Sequence, residues 1–329
     1  MSRPLIPVVL EPLYKAKPWG GRRLETLFGK RLPAGEPIGE TWELSDLPGN
    51  EVRVARGPLA GRTLRELMCT WGEALLPAAE LVNGRFPLLV KFLDANEPLS
   101  IQVHPRSDGP DGARLGGVKH EAWYVVHAEP GARLYAGLKD AVGPDDVRQA
   151  VNTPALVDLL HEWPARAGEC YYLPSGTPHA LGAGLVVAEV QTPSDVTYRL
   201  YDWNRLGMDG RPRELHISQA LANIRFKVAA DVIRPTLAAA SEMGPARRLI
   251  ACERFVIDDV RELPGCWTTR PMLSVWIMLA GRGAWRDEAG GGTIGPGDVA
   301  LLPPSSRGFE VTWQTEAEWL EVTRPASAK

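Results

Sequence analysis

Residues that break helices are unusually frequent in this chain, and they constrain its fold more than any other feature. The 329 residues include 33 glycines and 29 prolines, almost one residue in five. The glycines follow no three-residue period, which excludes a collagen-like chain. Frequent turns combined with few long helical patterns predict many short strands.

The charge and hydropathy of the chain exclude several classes of protein. Lys and Arg total 37 and Asp and Glu total 40, a net charge of −3 that argues against a nucleic-acid-binding surface. The apolar run from Leu5 to Leu10 contains Pro7, ends at Glu11 and is too short for a signal peptide, and no run is long enough to cross a membrane. The four cysteines form no C-x-x-C pair. We therefore expect a cytoplasmic protein without nucleic-acid or membrane partners. We also expect either a monomer or a homodimer.

Three segments break the strand pattern with helical periodicity. Apolar residues recur at three and four positions over 62–81, over 144–163 with an interruption at Pro154, and over a short stretch near 214–224. The remainder is typical of strands, among them Pro87–Leu93 and Leu99–His104. A change of composition near 230–245 indicates a linker, so the chain is expected to divide into 1–235 and 236–329.

A short internal repeat supports two β units of similar plan. Gly168–Pro174 and Gly297–Pro303 share the pattern of Gly, five residues and Pro, and each follows an apolar strand that contains a Trp, Trp123 or Trp276. Such a short match also arises by chance, so the repeat is a hypothesis.

Four polar residues in the first unit have the composition of a metal site. Gln102 and His104 are two apart on a predicted strand and so share a face. Glu121 opens a later strand, and His179 follows a Pro- and Gly-containing turn. Two nitrogen and two oxygen ligands suit Zn²⁺ or another divalent first-row ion. The alternative is four unrelated polar residues, since a single strand His is more often hydrogen-bonded than metal-bound.

Taken together, these motifs resemble a known family. Gly168-x5-Pro174-x-Gly176-x2-His179 resembles the second metal motif of the cupin barrel, and Gln102-x-His104 with Glu121 resembles the first, with Gln in place of the usual leading His. Over residues 10–225 the chain is similar to the short bacterial type I mannose-6-phosphate isomerases. The matching stretches are Trp19–Gly21, Gly39–Ser45, Phe86–Lys91, Pro98–Pro105, Lys119–Glu121, Pro174–His179 and Glu189 through Asp195 to Arg199.

The resemblance implies a fold, a reaction and a set of site residues. It implies a mainly β chain with a catalytic cupin barrel over 1–235 and a degenerate cupin-like β domain over 236–329. It implies interconversion of mannose 6-phosphate and fructose 6-phosphate through an enediolate, with one zinc ion per chain. The implied metal ligands are Gln102, His104, Glu121 and His179; the implied catalytic residues are Arg199, Lys119 and Glu189; and the implied phosphate contacts are Lys91 and Ser100.

The sequence is compatible with two candidates for the proton-transferring base and with more than one function. Either Glu189 or His120 could act as the base, and Glu189 could instead support a ligand. His120 itself departs from the Thr or Pro that relatives often carry. The chain could also isomerise another sugar phosphate or be a non-catalytic, metal-binding sugar sensor, although a pure binder has no need of Lys119 and Arg199 beside four ligands.

The C-terminal unit is predicted to contribute packing and no metal chemistry. Ser274 stands at the position that corresponds to Glu121, and Ser305 and Gly308 stand at those of Gly176 and His179. No histidine follows His216. Gly281-x-Gly283 is a strand turn, since no strand–helix unit of a dinucleotide site follows it.

Overall fold

The computed structural model of the chain describes residues 5–109, 118–228, 233, 235–237, 246–287, 290–304 and 309–325. The strands of the first half are β1 (Val8–Glu11), β2 (Leu13–Gly21), β3 (Ile38–Leu44), β4 (Asp46–Leu47), β5 (Asn50–Glu51), β6 (Arg53–Val54), β7 (Leu89–Ala95), β8 (Ile101–Val103), β9 (Glu121–Ala128), β10 (Arg133–Leu138) and β11 (Leu160–Pro164). Those of the second half are β12 (Glu169–Leu173), β13 (His179–Leu181), β14 (Leu185–Gln191), β15 (Tyr198–Tyr201), β16 (Thr236–Leu237), β17 (Ala246–Ala251), β18 (Val256–Glu262), β19 (Gly265–Thr268), β20 (Ser274–Ala280), β21 (Gly283–Asp287), β22 (Gly290–Ile294), β23 (Val299–Leu302), β24 (Glu310–Trp313) and β25 (Ala317–Thr323).

Short helices connect these strands. They are α1 (Arg23–Phe28), α2 (Leu64–Trp71), α3 (Pro144–Ala150), α4 (Ala155–Asp158) and α5 (Ile217–Asn223), with 3₁₀ turns at Gly72–Ala74 and Ala78–Glu80. The α2 helix begins with a capping box, in which Thr63 and Glu66 each bond the other's backbone N–H. The predicted mainly β fold with few short helices is confirmed.

Two sheets form the first barrel. One has the order β16-β12-β9-β14-β7-β2-β3, and the other has the order β11-β10-β13-β8-β15. Alternation along β9 turns Trp123 and Val125 into the barrel, where they pack against Leu93, Tyr171 and Leu181. Helices α3, α4 and α5 cover the outer face of the five-stranded sheet through a separate apolar cluster. The interior of this barrel is thus closed by apolar side chains at one end and open to polar ones at the other.

A second barrel is built from the C-terminal strands. Its larger sheet has the order β17-β18-β25-β20-β23-β1-β6, and a smaller sheet, β19-β24-β21-β22, faces it. Tryptophans fill the space between them, with Trp276, Trp313 and Trp319 in mutual ring contact. The N-terminal strand β1 pairs with β23, so this sheet includes residues from both ends of the chain.

The two barrels pack back to back. The outer faces of their seven-stranded sheets share one apolar core, in which Phe92, Tyr124 and Val190 of the first barrel join Ile257 and Val322 of the second. The α2 helix inserts Leu64 and Leu67 into the same core. Because β1 and β16 each pair across the predicted division at 235/236, that division remains a proposal about how the chain is organised.

The strand register bears out the internal repeat. In the first barrel Leu173 pairs with Glu121, and in the second Leu302, at the same place in its Gly-x5-Pro motif, pairs with Ser274. The neighbouring strands match as well, since Glu189 pairs with Trp123 and Glu321 pairs with Trp276. The corresponding positions Ser305 and Gly308 lie outside the described residues, as does most of the predicted linker.

Two local predictions differ from the structure. The helical pattern predicted over 144–163 ends at Asp158, and Leu160–Pro164 forms strand β11 instead. Its apolar residue Leu160 faces the same cluster that the helix would have faced, so both periods fit the burial there. The helix α1 lies outside the three segments predicted to be helical; it has six residues and ends at Gly29, which adopts a left-handed conformation.

Candidate metal centre and substrate cavity

Three ligating side chains converge at the open end of the first barrel. His104 follows β8, Glu121 begins β9 and His179 begins β13, and all three are buried. One ligating atom from each lies within 4.8 Å of the other two. Glu121 Oε1 is 2.8 Å from His179 Nε2, and Glu121 Oε2 is 3.5 Å from His104 Nε2. Within the described residues this is the one group of three or more His, Cys, Asp or Glu side chains suited to hold a metal ion.

The two imidazoles are oriented by backbone carbonyls. His104 Nδ1 lies 2.8 Å from the carbonyl oxygen of Val196, and His179 Nδ1 lies 2.8 Å from that of Thr177. Donation from Nδ1 places the lone pair of each imidazole on Nε2, which faces the other ligands. This arrangement of a carbonyl behind each ring is the usual support of a metal-binding histidine.

Glu121 supplies the charge that such a site requires. Neither of its buried oxygens has a hydrogen-bond partner, although Lys119 Nζ lies 2.7 Å from Oε2 as an ion pair. Burial alone raises the pKa of Glu121, but Lys119, His179 and His104 hold it well below its usual range. Burial and the charge of Lys119 lower the pKa of His104 to about 3. An ionised carboxylate beside the Nε2 atoms of two imidazoles fits a divalent cation.

Gln102 lies beside this group. It pairs in register with His179 on one side and with Arg199 on the other. Its Nε2 is 3.3 Å from His179 Nε2, and its Oε1 accepts a hydrogen bond of 3.3 Å from Ser100 Oγ. A half-turn of the amide exchanges these two atoms and directs Oε1 toward the ligands, so Gln102 is within reach of the same metal ion.

The turn before His179 needs a glycine. Gly176 has a φ of +81°, and a Cβ atom there would lie 2.7 Å from the backbone oxygen of Asn223 and closer still to Arg106. Glycine is therefore required both for the conformation and for the close approach of α5. The turn then returns the chain into β13 with His179 facing the barrel interior.

A cavity of about 340 Å³ opens beside the metal ligands. Gln102, Arg199, Lys119, Glu189, Lys91 and Ser100, all predicted from the sequence as site residues, line it. The lining that the sequence analysis did not assign consists of Lys17, Trp19, Glu40, Leu93, Leu99, Trp123, Asp195, Thr197, Arg213, Glu214 and His216. The surface is mostly polar and carries charges of both signs, as expected for a charged, hydroxyl-rich ligand.

Lys91 lies in a group of carboxylates. Its Nζ is 3.2 Å from Glu189 Oε2, 3.7 Å from Glu40 Oε2 and 4.0 Å from Asp195 Oδ1. Burial acts to lower the pKa of Lys91, but Glu189, Glu40 and Asp195 outweigh it and raise the pKa. The other oxygen of Glu189 accepts a hydrogen bond of 2.9 Å from Trp123 Nε1. Lys91 is therefore a charged and strongly paired amine.

Arg199 lies on the opposite side of the cavity. Its Nη1 donates to the carbonyl oxygen of Glu214 at 3.0 Å, while its buried Nε has no hydrogen-bond partner among the described residues. Burial and the nearby Arg213 lower the pKa of Arg199, although a guanidinium stays charged. The site therefore holds a cation that is incompletely neutralised by the protein.

His120 does not lie in the cavity. It precedes Glu121 on the chain and faces the other side of the sheet, where its Nδ1 is 2.7 Å from the hydroxyl of Tyr172 and its Nε2 is 3.9 Å from Glu253 of the second barrel. Burial and Arg254 lower the pKa of His120 to about 4. Of the two bases left open by the sequence, only Glu189 faces the substrate cavity.

Only some of the unassigned lining residues could have been predicted from a pattern in the sequence. Lys17 and Trp19 are two apart on β2 and thus share a face. Glu40 lies within the Gly39–Ser45 stretch that carried the resemblance. All three residues therefore had a signal in the sequence. Arg213 and His216 follow an irregular segment after β15. No periodic pattern indicated that this segment returns to the cavity.

Comparisons with known proteins identify relatives of this chain. The family model of the type I phosphomannose isomerase catalytic domain matches residues 8–129. The chain is 38% identical over 248 residues to a probable mannose-6-phosphate isomerase of Bacillus subtilis, covering 74% of this chain and 75% of that protein. It is 39% identical over 217 residues to the mannose-6-phosphate isomerase of Streptococcus mutans, covering 65% of this chain and 66% of that one.

A solved structure extends the similarity to nearly the whole chain. The crystal structure of mannose 6-phosphate isomerase from Bacillus subtilis superposes with a TM-score of 0.83 at 30% identity, covering 97% of this chain and 99% of that one. No helix in the described part of this chain is both long enough and apolar enough to cross a bilayer. On these similarities, the chain belongs to the type I phosphomannose isomerases, a family of aldose–ketose isomerases.

Proposed function

We propose that this protein interconverts mannose 6-phosphate and fructose 6-phosphate through an enediolate, with one zinc ion per chain. The observation that carries the proposal is the convergence of His104, Glu121 and His179 at the end of a polar cavity. The substrate is taken from the names of the relatives. Gln102 is proposed as the fourth ligand.

The ligand set supports zinc among divalent metals. Two imidazole nitrogens, one carboxylate and one amide oxygen form a mixed nitrogen and oxygen set of four, which suits Zn²⁺. When bound, such an ion would polarise a substrate oxygen and thereby acidify the neighbouring C–H bond.

The reaction requires a proton to leave C2 and a proton to return to C1, with negative charge on the oxygens in between. Arg199 is proposed to stabilise that charge, because its guanidinium is permanently protonated and its Nε has no hydrogen-bond partner in the described structure. Lys119 is proposed to add a second cation; its Nζ lies 3.1 Å from His104 Nε2, at the edge of the ligand group.

Glu189 is proposed as the group that moves the proton. It is buried and lines the cavity, with Oε1 fixed by Trp123 and Oε2 3.2 Å from Lys91 Nζ. The ion pair with Lys91 holds the carboxylate in place. Ser100 Oγ lies 3.3 Å from Gln102 Oε1; with the amide turned so that Oε1 faces the metal ligands, this hydroxyl would accept from Nε2 instead. The predicted contacts of Lys91 and Ser100 with the substrate phosphate stay predictions.

A coupled assay for fructose 6-phosphate tests the proposal. Wild-type protein is incubated with mannose 6-phosphate before chelator treatment, after it, and after zinc is restored. We expect conversion that the chelator abolishes and zinc recovers. Conversion that survives complete removal of metal would contradict the metal dependence. Binding of mannose 6-phosphate without any turnover would instead identify a non-catalytic sugar sensor, and turnover of other aldose phosphates alone would change the substrate.

A further inference from the structure

The charges that line the cavity are separated onto two walls. One wall, which we term the acidic wall, consists of Lys17, Glu40, Lys91, Glu189 and Asp195 on or beside the large sheet of the first barrel. The other, the basic wall, consists of Arg199, Arg213, Glu214 and His216 on or after β15. The two walls offer different environments to an anionic ligand.

On the acidic wall both lysines already form ion pairs with carboxylates of the protein. Lys91 contacts three carboxylates, and Lys17 pairs with Glu40 at 3.0 Å. Three carboxylates against two amines leave this wall with a net negative charge. A phosphate dianion placed against Lys91 would be repelled by the surrounding carboxylates.

On the basic wall the two arginines that line the cavity, Arg199 and Arg213, outnumber its one carboxylate, Glu214. Asp202 is buried and accepts from Arg213 through Nε at 2.6 Å and Nη2 at 2.5 Å, and from Arg205 through Nη2 at 2.8 Å. One carboxylate is thus shared by two guanidiniums, with Arg199 nearby as a third cation. The bonds to Asp202 use one edge of Arg213 and leave the Nη1 edge for another acceptor. A carboxylate that holds a guanidinium in this way orients it toward a ligand.

His216 adds a neutral donor to this wall. Its Nδ1 accepts a hydrogen bond of 3.3 Å from the backbone N–H of Arg199, and its own backbone N–H donates to the carbonyl of Arg199 at 2.9 Å. Because Nδ1 accepts, the proton of the neutral ring is on Nε2. Burial and the charge of Arg199 lower the pKa of His216, while Glu214, whose Oε2 lies 4.0 Å from Nε2, acts in the opposite direction. The cavity is therefore presented with an N–H group.

The strand order places this wall at a distance from the metal ligands. His179, Gln102 and Arg199 lie in register on three adjacent strands, each roughly 4.8 Å from the next. β15 is the edge strand of this sheet, and His216 lies beyond it. In a hexose 6-phosphate the phosphate is at the opposite end of the carbon chain from C1 and C2. A substrate whose C1 and C2 approach the metal ligands therefore extends its phosphate toward one of the two walls, and the charge balance selects the basic one.

We propose that Arg213 and His216 hold the phosphate of the sugar phosphate, with Asp202 positioning Arg213. This inference rests on the proposed function for the identity of the sugar, but the phosphate site itself does not depend on turnover. It differs from the assignment of the phosphate to Lys91 that the family resemblance implies.

Two measurements on the zinc-loaded protein test the phosphate site. The first is the dissociation constant of inorganic phosphate by calorimetry, and the second is the pair of constants kcat and KM for mannose 6-phosphate. We expect Arg213→Ala to raise both the dissociation constant of inorganic phosphate and KM by about tenfold or more. We expect His216→Ala to raise the same two constants by about five- to tenfold. In both variants kcat should change less than threefold.

Arg205→Ala is the matched control. This substitution removes the other guanidinium from Asp202, but Arg205 does not line the cavity. The dissociation constant of inorganic phosphate, kcat and KM should therefore all stay within about twofold of wild type. Loss of phosphate binding in Lys91→Met with none in Arg213→Ala would overturn the proposal, as would equal effects of Arg205→Ala and Arg213→Ala. If inorganic phosphate binding follows the expected order but mannose 6-phosphate is not converted, the phosphate site stands and the proposed function fails.

Discussion

The two barrels of this chain share a backbone plan and differ in the side chains at the ends of the same strands. In each, a Trp on the central strand donates through Nε1 to a Glu on the neighbouring strand: Trp123 to Glu189 at 2.9 Å and Trp276 to Glu321 at 3.3 Å. Both glutamates are buried and occupy matching register positions. The Trp–Glu pair therefore belongs to the architecture of the barrel and does not by itself indicate catalysis.

The differences lie where the first barrel binds its candidate metal. The position of Glu121 is taken by Ser274, and the position of Lys91 beside the glutamate is taken by Asp258. In the second barrel Arg270 supplies the cation, at 3.3 Å from Glu321 and 3.7 Å from Asp258. Arg248 also pairs with Asp258, so both buried carboxylates have cationic partners. A few side chains at the strand ends thus distinguish the barrel that holds the candidate metal site from the other, where the described residues bring together no such group.

The largest expected contrast between the barrels is in metal binding. His104→Ala or His179→Ala should remove most of the bound metal and lower kcat by on the order of 10³-fold. The reason is that the cation is expected to stabilise the transition state by several kcal/mol. Ser274→Ala, at the matching position of the second barrel, should leave both quantities unchanged. Metal analysis with parallel kinetics measures both. Full metal occupancy in both histidine variants, or a second ion in the C-terminal barrel, would remove the contrast.

The next contrast concerns the cation in each barrel. Arg199→Ala or Arg199→Lys should lower kcat on mannose 6-phosphate by about 10²-fold, the scale of losing one electrostatic stabiliser, with the zinc content unchanged. Arg270→Ala should leave kcat unchanged and lower the melting temperature, since Glu321 would lose its ion-pair partner. A strong rise of KM in the Arg199 variants with normal kcat would mean that Arg199 only binds the substrate.

A smaller contrast comes from the shared Trp–Glu pair. Trp123→Phe and Trp276→Phe each remove one hydrogen bond to a buried carboxylate and keep the ring, so each should cost about 1–3 kcal/mol of stability. Only Trp123→Phe should also lower kcat, by roughly two- to tenfold, because it releases Glu189 in the cavity. Thermal melts and kcat of the two variants give the comparison. An equal loss of kcat in both would show that the effect is structural.

The sequence predicted the parts of the site that local periodicity controls. Gln102 and His104 alternate on a strand and Glu121 opens another, so spacing alone suggested a common face. The convergence of the two strands with His179 required the family resemblance, because no local rule brings residues so distant in the sequence together. His216 was missed because its placement depends on hydrogen bonds with the backbone of Arg199, and Arg213 was missed because its placement depends on the side chain of Asp202. The end of the helix at Asp158 was missed because Leu160 is buried equally well in a helix or a strand.

The last contrast is in how a carboxylate of each barrel responds to pH. Burial opposes ionisation of Glu40, but Lys91 and Lys17 outweigh it and lower the pKa of Glu40 from 4.5 to about 2. A carboxyl with a lowered pKa stabilises the folded state above its unfolded pKa, and this stabilisation is lost as the pH falls from about 4.5 toward 2. The shift corresponds to about 3 kcal/mol at neutral pH. Glu40→Gln should therefore lower the melting temperature most at pH 7 and progressively less below pH 4.5.

Glu321 should respond with the opposite sign. Burial raises the pKa of Glu321 and the charge of Arg270 only partly offsets it. Its contribution to stability is therefore present at low pH, where the group is protonated, and is lost as the pH rises through the raised pKa. The difference in melting temperature between Glu321→Gln and wild type should become more positive as the pH rises from 4 to 7, whereas for Glu40→Gln it should become more negative. Parallel slopes for the two variants would mean that the cations of the two barrels balance their carboxylates equally, and that the lysines of the acidic wall have no special role in holding Glu40 ionised.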